Sequence, residues 1–213
     1  MRIIKPSFEI LEMMGGTPEF LMKLIETCGR VCYKSEDKIT DDSYNKFVKS
    51  VVDRGHEAVI EHGVVTCKIT CDRGVTHEIV RHRLASYCQE STRYCNYSRD
   101  GFDNQITVIE PCYLCTDSAS YALWEASCRI SEEAYMQMLK LGCTPQEARA
   151  VLPNSLKTEI IVTMNMREWR HFFKLRCSKA AHPQMREVAN MGLELMYENF
   201  PILFDDIYEE VHG

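Results

Sequence analysis

One stretch of the sequence, residues 81–94, reads RHRLASYCQESTRY and is the densest polar cluster in the chain. It opens with Arg81-His82-Arg83 and, after seven further residues, reaches Ser91-Thr92-Arg93-Tyr94. Successive residues of a helix turn by about 100°, so the three ionisable side chains at the start cannot share one helical face. An extended segment over residues 91–94 would aim Ser91 and Arg93 in the same direction. A hydroxyl beside a guanidinium suits a phosphate group, so one interpretation of this stretch is a site for a small anion. The alternative is a basic helix on the surface followed by an edge strand.

The distribution of charge favours the same kind of ligand. The chain has 213 residues, with 25 Lys+Arg against 31 Asp+Glu, and this acidic balance argues against a general nucleic-acid binder. Arginines are nevertheless concentrated in two segments, residues 73–99 and 167–176. We interpret them as donors for small anionic ligands; the alternative is that they are solvated or paired with carboxylates.

Hydrophobic periodicity and turn residues predict an α+β protein. We expect a single domain over residues 1–213, with a central mixed or antiparallel sheet flanked by helices. The predicted strands cover 64–71, 106–109 and 158–164. The predicted helices cover 17–28, 41–55, 74–83, 117–141, 144–153, 167–177 and 183–199. The helix over 74–83 is expected to carry the first arginines of the polar stretch at its C-terminal end.

Other features exclude several common classes. The sequence has no GxGxxG, no GxxxxGK[ST] and no GxSxG motif, so it predicts neither a Rossmann site, a P-loop nor a hydrolase elbow. The sequence contains no apolar run of 18 residues, so we expect no membrane helix. Residues 1–6 do not resemble a signal peptide. Eleven cysteines without such a signal indicate the reducing cytoplasm, and the Cys112-x-x-Cys115 pair is interpreted as loop thiols.

The polar stretch resembles the signature of the flavin-dependent thymidylate synthases, Arg-His-Arg followed by seven residues and a serine. The resemblance extends upstream to Gly55-His56-Glu57 with Glu61-His62. It extends downstream, in the expected order, to the motifs at residues 148–153, 165–167 and 171–176. Together these motifs span about residues 55–185.

The resemblance implies an activity and an assembly. Members of this family make thymidylate (dTMP) from deoxyuridylate (dUMP), with methylenetetrahydrofolate as the carbon donor and NADPH as the reductant. They bind flavin adenine dinucleotide (FAD) at subunit interfaces of a homotetramer whose active sites are shared between chains. The resemblance thus implies a cytoplasmic enzyme with dUMP, folate and NADPH as partners, and with neither nucleic acid nor membrane.

The same resemblance assigns site residues position by position. The positions that match flavin-binding positions are Ala58, Glu61, Arg81, His82, Arg83, Gln89, Asn165, Arg167 and His171. Those that match nucleotide-binding positions are Glu78, Arg81, Gln89, Glu90, Ser91, Thr92, Arg93, Arg149 and Arg176.

Two of these residues are assigned to catalysis. Arg176 is expected to favour ionisation of the uracil ring, because a fixed guanidinium stabilises negative charge where it develops. Ser91 has no obvious base beside it in the sequence, so we expect it to hydrogen-bond the nucleotide rather than attack it. No metal is expected.

The chain departs from the family pattern at a few positions. Cys88-Gln89 stands where many relatives have Asn-Glu, and Glu78 where a Gln is common. Ala58 lacks a hydroxyl that some relatives supply, and Cys32 replaces a Ser.

Two other classes of function remain as alternatives. One is a non-catalytic nucleotide- or RNA-binding module that uses the two arginine segments. The other is a metal hydrolase, whose ligands would be His56, His62, His77 and His82. His56 and His62 are six residues apart, and His77 and His82 are five residues apart. Both spacings differ from the i,i+4 spacing that places two metal ligands on one helical face.

Overall fold

The computed structural model describes residues 1–213, except for the side chain of Asp100. The strands are Arg2–Ile4 (β1), Ser7–Met13 (β2), Val64–Asp72 (β3), Ala85–Gln89 (β4), Thr107–Ile109 (β5) and Lys157–Asn165 (β6). The helices are Pro18–Tyr33 (α1), Ser43–Asp53 (α2), Arg73–Ile79 (α3), Ala119–Lys140 (α4), Pro145–Ala148 (α5), Met166–Arg176 (α6), Pro183–Asn199 (α7) and Pro201–His212 (α8). Short 3₁₀ turns cover Glu36–Lys38, Glu57–His62, Asp100–Phe102 and Arg149–Val151.

The strands form two sheets of mixed direction. The larger sheet has the order β2-β3-β6-β4. In the smaller sheet β1 and β5 run parallel, with Ile3 opposite Val108, and Val108 also makes an antiparallel bridge to Leu156. This arrangement confirms the predicted α+β class with a mixed sheet flanked by helices. None of the helices that the structure describes combines the length and apolar character needed to cross a lipid bilayer.

The chain divides into two compact units. The first unit comprises residues 1–7, 69–81 and 88–160, and the second comprises residues 8–68, 82–87 and 161–213. The single domain expected from the sequence stays a prediction.

The core of the first unit is built on one face of α4. Cys128 and Tyr135, seven residues apart and therefore about two turns apart, both face this core. Their partners are Tyr97, Ile106, Val108, Ala148 and Leu156. The apolar residues Leu123 and Ile130 of the same helix are 73% and 68% exposed, so they lie outside the core.

The core of the second unit is aromatic and centres on α6. The rings of Trp169 and Phe173 stack with their centroids 5.7 Å apart, and Phe8 of β2 meets Trp169 edge-on at 5.9 Å. Beside them the buried guanidinium of Arg170 makes two hydrogen bonds of 2.8 Å to the carboxylate of Asp206 in α8. Arg170 therefore ties α6 to α8 through an ion pair.

The structure corrects two expectations about the polar stretch. Helix α3 ends at Ile79, so Arg81-His82-Arg83 follow it in an irregular segment instead of lying at its C-terminal end. The backbone nitrogens of Val80 and Arg81 donate to the carbonyls of Thr76 and Glu78 and close the last turn, after which the chain extends towards β4 at Ala85. Residues 91–94 are not extended, because β4 ends at Gln89 and the backbone folds into a turn.

Candidate functional site

The residues assigned from the sequence occupy both compact units, and each set is described within its own unit. In the first unit the loop cluster comprises Gln89, Glu90, Ser91, Thr92, Arg93 and Arg149. In the second unit the helix cluster comprises Glu61, His82, Arg167, Glu168, His171 and Arg176.

Gln89, at the end of β4, is held by two threonine hydroxyls. Its side-chain nitrogen donates to the hydroxyls of Thr76 at 3.1 Å and Thr158 at 3.3 Å. The Thr76 hydroxyl donates its proton to the backbone carbonyl of Arg73 at 2.8 Å. It can therefore only accept a hydrogen bond from the side chain of residue 89. An amide NH₂ satisfies that acceptor and a carboxylate does not. The two threonine hydroxyls therefore favour Gln at position 89 of this chain.

Glu90 anchors the turn that follows β4. One carboxylate oxygen accepts from the Tyr97 hydroxyl at 3.1 Å, and the other accepts from the Lys157 ammonium at 2.9 Å. Burial and the Glu90 carboxylate raise the pKa of the Tyr97 hydroxyl, which keeps it protonated as the donor. Both oxygens of Glu90 thus hold protein groups, and a contact of this side chain with substrate stays a prediction.

The turn itself presents the Ser91 hydroxyl and the Arg93 guanidinium, and Arg149 reaches the turn from the 3₁₀ turn Arg149–Val151. The backbone nitrogens of Tyr94 and Cys95 donate to the carbonyl of Ser91, and the Ser91 hydroxyl accepts from the backbone nitrogen of Arg93 at 3.3 Å. Arg149 donates to the Thr92 hydroxyl at 3.5 Å. The Arg93 and Arg149 residues are exposed, so an anion can reach their guanidinium groups. The loop cluster therefore has the chemistry of a phosphate site, although the extended geometry expected for it was wrong.

In the second unit, α6 begins at a capped N-terminus. The side chain of Asn165 accepts from the backbone nitrogen of Glu168 at 2.9 Å, which fixes the first turn of the helix. Arg167 on that turn pairs with Glu61 at 2.6 Å and lies 3.6 Å from Glu57. The helix cluster therefore starts from a rigid helix end.

His82 lies at the centre of the helix cluster. Its Nδ1 is 3.1 Å from the Glu168 carboxylate, and its Nε2 accepts from Nε of Arg176 at 3.2 Å. The ring is buried, with the rings of His171 and Phe172 packed edge-on against it. Since both ring nitrogens are engaged, the group His82, Glu168 and His171 offers a metal ion no lone pair of His82, despite the clustering of its ligand atoms.

The environment of His82 also sets its protonation. Burial lowers its pKa below the ordinary value, and the charges of Arg176 and His171 lower it further, against the opposing effect of Glu168. The neighbouring Tyr87 hydroxyl donates to the His82 carbonyl, and burial raises the pKa of Tyr87 to about 12. His82 is therefore a neutral imidazole at neutral pH.

This neutral state predicts how the stability depends on pH. Below about pH 6.5 an unfolded chain protonates this histidine while the folded chain resists, so the free energy of unfolding falls as the pH falls. We expect urea titrations between about pH 7.5 and 5.5 to show a steeper loss of stability for the native protein than for His82→Gln. Equal slopes for the two proteins would contradict the assignment of a neutral buried His82.

Two neighbouring pockets share Arg167 and Glu57. The first, of about 360 Å³, is lined by Asn165, Arg167 and His171, together with Lys174. The second, of about 390 Å³, is lined by Ala58 and by the hydrogen-bonded pair Tyr33 and His56. The pockets thus bring together Ala58, Asn165, Arg167 and His171, four residues assigned to the flavin, with cations beside them.

The remaining assigned residues lie on the segments between these elements. Arg81 and Arg83 are exposed in the segment between α3 and β4, Glu78 is half-buried on α3, and Glu61 is on the 3₁₀ turn of residues 57–62. Sequence reasoning missed Glu168, although Asn165 followed three residues later by Glu is a recognisable helix-capping pattern. It also missed Thr158 and Lys157, which only tertiary contacts bring to the loop cluster.

Known proteins similar to this chain agree with one another. The family model described as "Thymidylate synthase complementing protein" matches residues 18–202. A flavin-dependent thymidylate synthase of Pyrococcus furiosus is 36% identical over 174 residues, which cover 81% of this chain and 70% of that protein. A flavin-dependent thymidylate synthase of Geobacter sulfurreducens is 33% identical, over 85% of this chain and 80% of its own.

A solved structure supports the fold. The UMP/dUMP methylase PolB from Streptomyces cacaoi, solved with 5-Br dUMP, matches with a TM-score of 0.77 over 98% of this chain and 97% of that chain. At 20% sequence identity this likeness concerns the fold alone. The family match and the identities to its members carry the assignment: the chain belongs to the flavin-dependent thymidylate synthase family.

Proposed function

We propose that the protein is a flavin-dependent thymidylate synthase that converts dUMP to dTMP. Methylenetetrahydrofolate donates the carbon, and NADPH provides the reducing equivalents through FAD. The observation that carries this proposal is the loop cluster, where one hydroxyl and two exposed guanidinium groups border a single turn in a chain of this family.

The loop cluster binds the phosphate of dUMP in this proposal. The phosphate is an anion with several acceptor oxygens, and Arg93 and Arg149 supply planar, permanently charged donors. The Ser91 hydroxyl accepts from the backbone of Arg93, so its own proton is available to a phosphate or sugar oxygen. No basic side chain contacts Ser91 among the hydrogen bonds of the described residues, which supports a binding role over nucleophilic attack.

Arg176 acts on the uracil ring in this proposal. Methylation at carbon 5 requires electron density at that carbon, which develops as negative charge on the ring. A guanidinium held in place by the His82 hydrogen bond stabilises this charge without first reorganising. The residue therefore contributes to catalysis rather than to affinity alone.

The helix cluster and its two pockets bind the FAD in this proposal. Cations outnumber carboxylates in the first pocket, where Arg167, Arg170 and Lys174 stand against Glu57 and Glu168, and this balance suits an anionic dinucleotide. Arg167 and Glu57 belong to both pockets, and Asn165 and His171 add hydrogen-bonding groups. The other assigned flavin residues are Ala58, Glu61, Arg81, His82, Arg83 and Gln89. When bound, the flavin would supply the hydride that reduces the transferred carbon to a methyl group.

The proposal includes a cytoplasmic homotetramer with active sites shared between chains. Leu123 and Ile130 support an interface on α4, since they lie about two turns apart on one side of the helix and are largely exposed. A second copy packed on this side would bury both side chains.

Two experiments test the proposed function. The purified protein, reconstituted with FAD, should retain a flavin absorbance band after gel filtration, and its gene should restore growth of thymidine-requiring cells that lack their own synthase. The matched control is the Arg176→Ala gene, which should give flavin binding without growth. A protein that binds no flavin but binds oligonucleotides in a steeply salt-dependent way would favour the alternative of an RNA-binding module.

A further inference from the structure

Three side chains of the second unit form a continuous hydrogen-bond chain, of which two are buried and the third, Arg176, is half-buried. Glu168 lies 3.1 Å from Nδ1 of His82, and Nε2 of His82 lies 3.2 Å from Nε of Arg176. Glu168 and Arg176 belong to the same helix, α6, eight residues apart, and His82 bridges them from the segment before β4. Glu168 and His82 are both buried.

The chemistry of the two ends fixes the proton on His82. Arginine has no acceptor, so Nε of Arg176 must donate, and Nε2 of His82 must present its lone pair. A neutral imidazole with a lone pair on Nε2 carries its proton on Nδ1, which then donates to the Glu168 carboxylate. Without an acceptor at residue 168, the buried Nδ1–H would lose its partner, and the other tautomer would point a proton at Arg176.

Packing and hydrogen bonds around His82 also restrict rotation of its imidazole ring. The Tyr87 hydroxyl donates to the carbonyl of His82, and the rings of His171 and Phe172 pack against its imidazole. The Glu168 backbone is held by the Asn165 cap. The groups that face His82 are therefore one acceptor, Glu168, one donor, Arg176, and a second imidazole, His171.

We propose that Glu168 is a positioning residue, which holds His82 in the Nδ1-protonated tautomer so that Nε2 accepts from Arg176 and fixes its guanidinium. The role of Arg176 towards uracil rests on the proposed function, whereas the tautomer and the hydrogen-bond chain do not. In this inference Glu168 acts on Arg176 through His82, and its side chain also lines the first of the two pockets described above.

The first test reads the tautomer directly, without turnover. The ¹⁵N NMR spectrum of sedimented protein labelled at its seven histidines, with His82→Gln to assign the signal, should show a protonated Nδ1 and an unprotonated Nε2 for His82. Glu168→Gln, which keeps an acceptor oxygen, should preserve this pattern, and Glu168→Ala should lose it. A native His82 protonated at Nε2, or an unchanged pattern in Glu168→Ala, would overturn the inference.

The second test separates positioning from a purely structural role in the first turn of α6. Glu168→Ala should lower kcat/KM for dUMP by about 10- to 100-fold, because a displacement of about 1 Å at a catalytic group costs up to about 10²-fold, and Glu168→Gln should lower it less. In a His82→Gln background the alanine substitution should add no further loss. An equal loss of kcat/KM in both backgrounds would show that Glu168 acts independently of His82, and would refute its role as a positioning residue.

The controls keep the two proposals distinguishable. Glu125→Ala removes a carboxylate that pairs with Arg129 on the surface of α4, and it should leave both kinetics and the NMR pattern unchanged. If the native protein makes no dTMP, the proposed function fails, and the tautomer pattern in Glu168→Ala still decides the inference about Glu168.

Discussion

Replacing Arg176 by alanine is expected to lower kcat by about 10²- to 10³-fold, the largest loss we expect from any single substitution. Removal of one preorganised donor at the point where charge develops typically costs that much, because water does not replace it in the fixed position. Arg176→Lys should recover little, since an ammonium group does not reproduce the Nε–H that donates to His82.

Rapid-quench measurement of dTMP formation at saturating dUMP checks this expectation. Retained flavin binding and an unchanged far-ultraviolet circular dichroism spectrum should show that the variant is folded. Arg186→Ala is the matched control, because Arg186 lies on α7 and donates to a backbone carbonyl of the same unit. A variant Arg176→Ala that keeps the native kcat would remove this residue from the catalytic role.

Replacing Arg93 by alanine is expected to raise the KM for dUMP by about 10- to 100-fold, with a smaller effect on kcat. A hydrogen bond to a charged group contributes about 1.5–3 kcal/mol, and each 1.4 kcal/mol corresponds to about tenfold in affinity. Because the phosphate is far from the reacting carbon, loss of the Arg93 contact weakens binding of the substrate and of the transition state equally.

Deoxyuridine, which lacks the phosphate, makes this test specific. The native enzyme should prefer dUMP strongly, and Arg93→Ala should lose most of that preference without losing activity towards deoxyuridine. Arg99→Ala removes an exposed arginine of the same segment and should change neither. If Arg93→Ala keeps the full preference for dUMP, the phosphate is bound elsewhere.

Regular elements were predicted where periodicity and stop signals agree. Helix α7 has the predicted bounds, Pro183–Asn199, because a proline occupies its first turn and another proline follows it. The strand predicted over 64–71 has Val65, Cys67, Ile69 and Cys71 buried on the expected alternate positions.

Elements without such signals were missed. The prediction placed no strand at β1, β2 or β4, which are short and have no clear start and stop residues. It also missed α8, because Pro201, the first residue of that helix, was interpreted only as the end of α7. The face of α4 was also ambiguous, because Leu123 and Ile130 are as apolar as the residues that form the core. Tertiary contacts decide such positions, and a single sequence does not display them.

The residues of the candidate site were predictable as motif positions, but not as a network. The resemblance identified His82 and Arg176, whereas their connection through Glu168 depends on the fold that joins residues 82 and 168. Charge counting assigned Arg170 to the same arginine segment as Arg167, and the structure gives Arg170 an internal partner, Asp206. Only burial and geometry distinguish these two arginines.

The most direct test of the central claim is product analysis under anaerobic conditions. The reconstituted protein should be mixed with dUMP, methylenetetrahydrofolate and NADPH, and the nucleotides separated by liquid chromatography. We predict that dTMP forms and that its formation requires FAD, methylenetetrahydrofolate and NADPH together. A flavin-loaded, folded protein that leaves dUMP unchanged, or that forms dTMP equally well without flavin, would contradict the account.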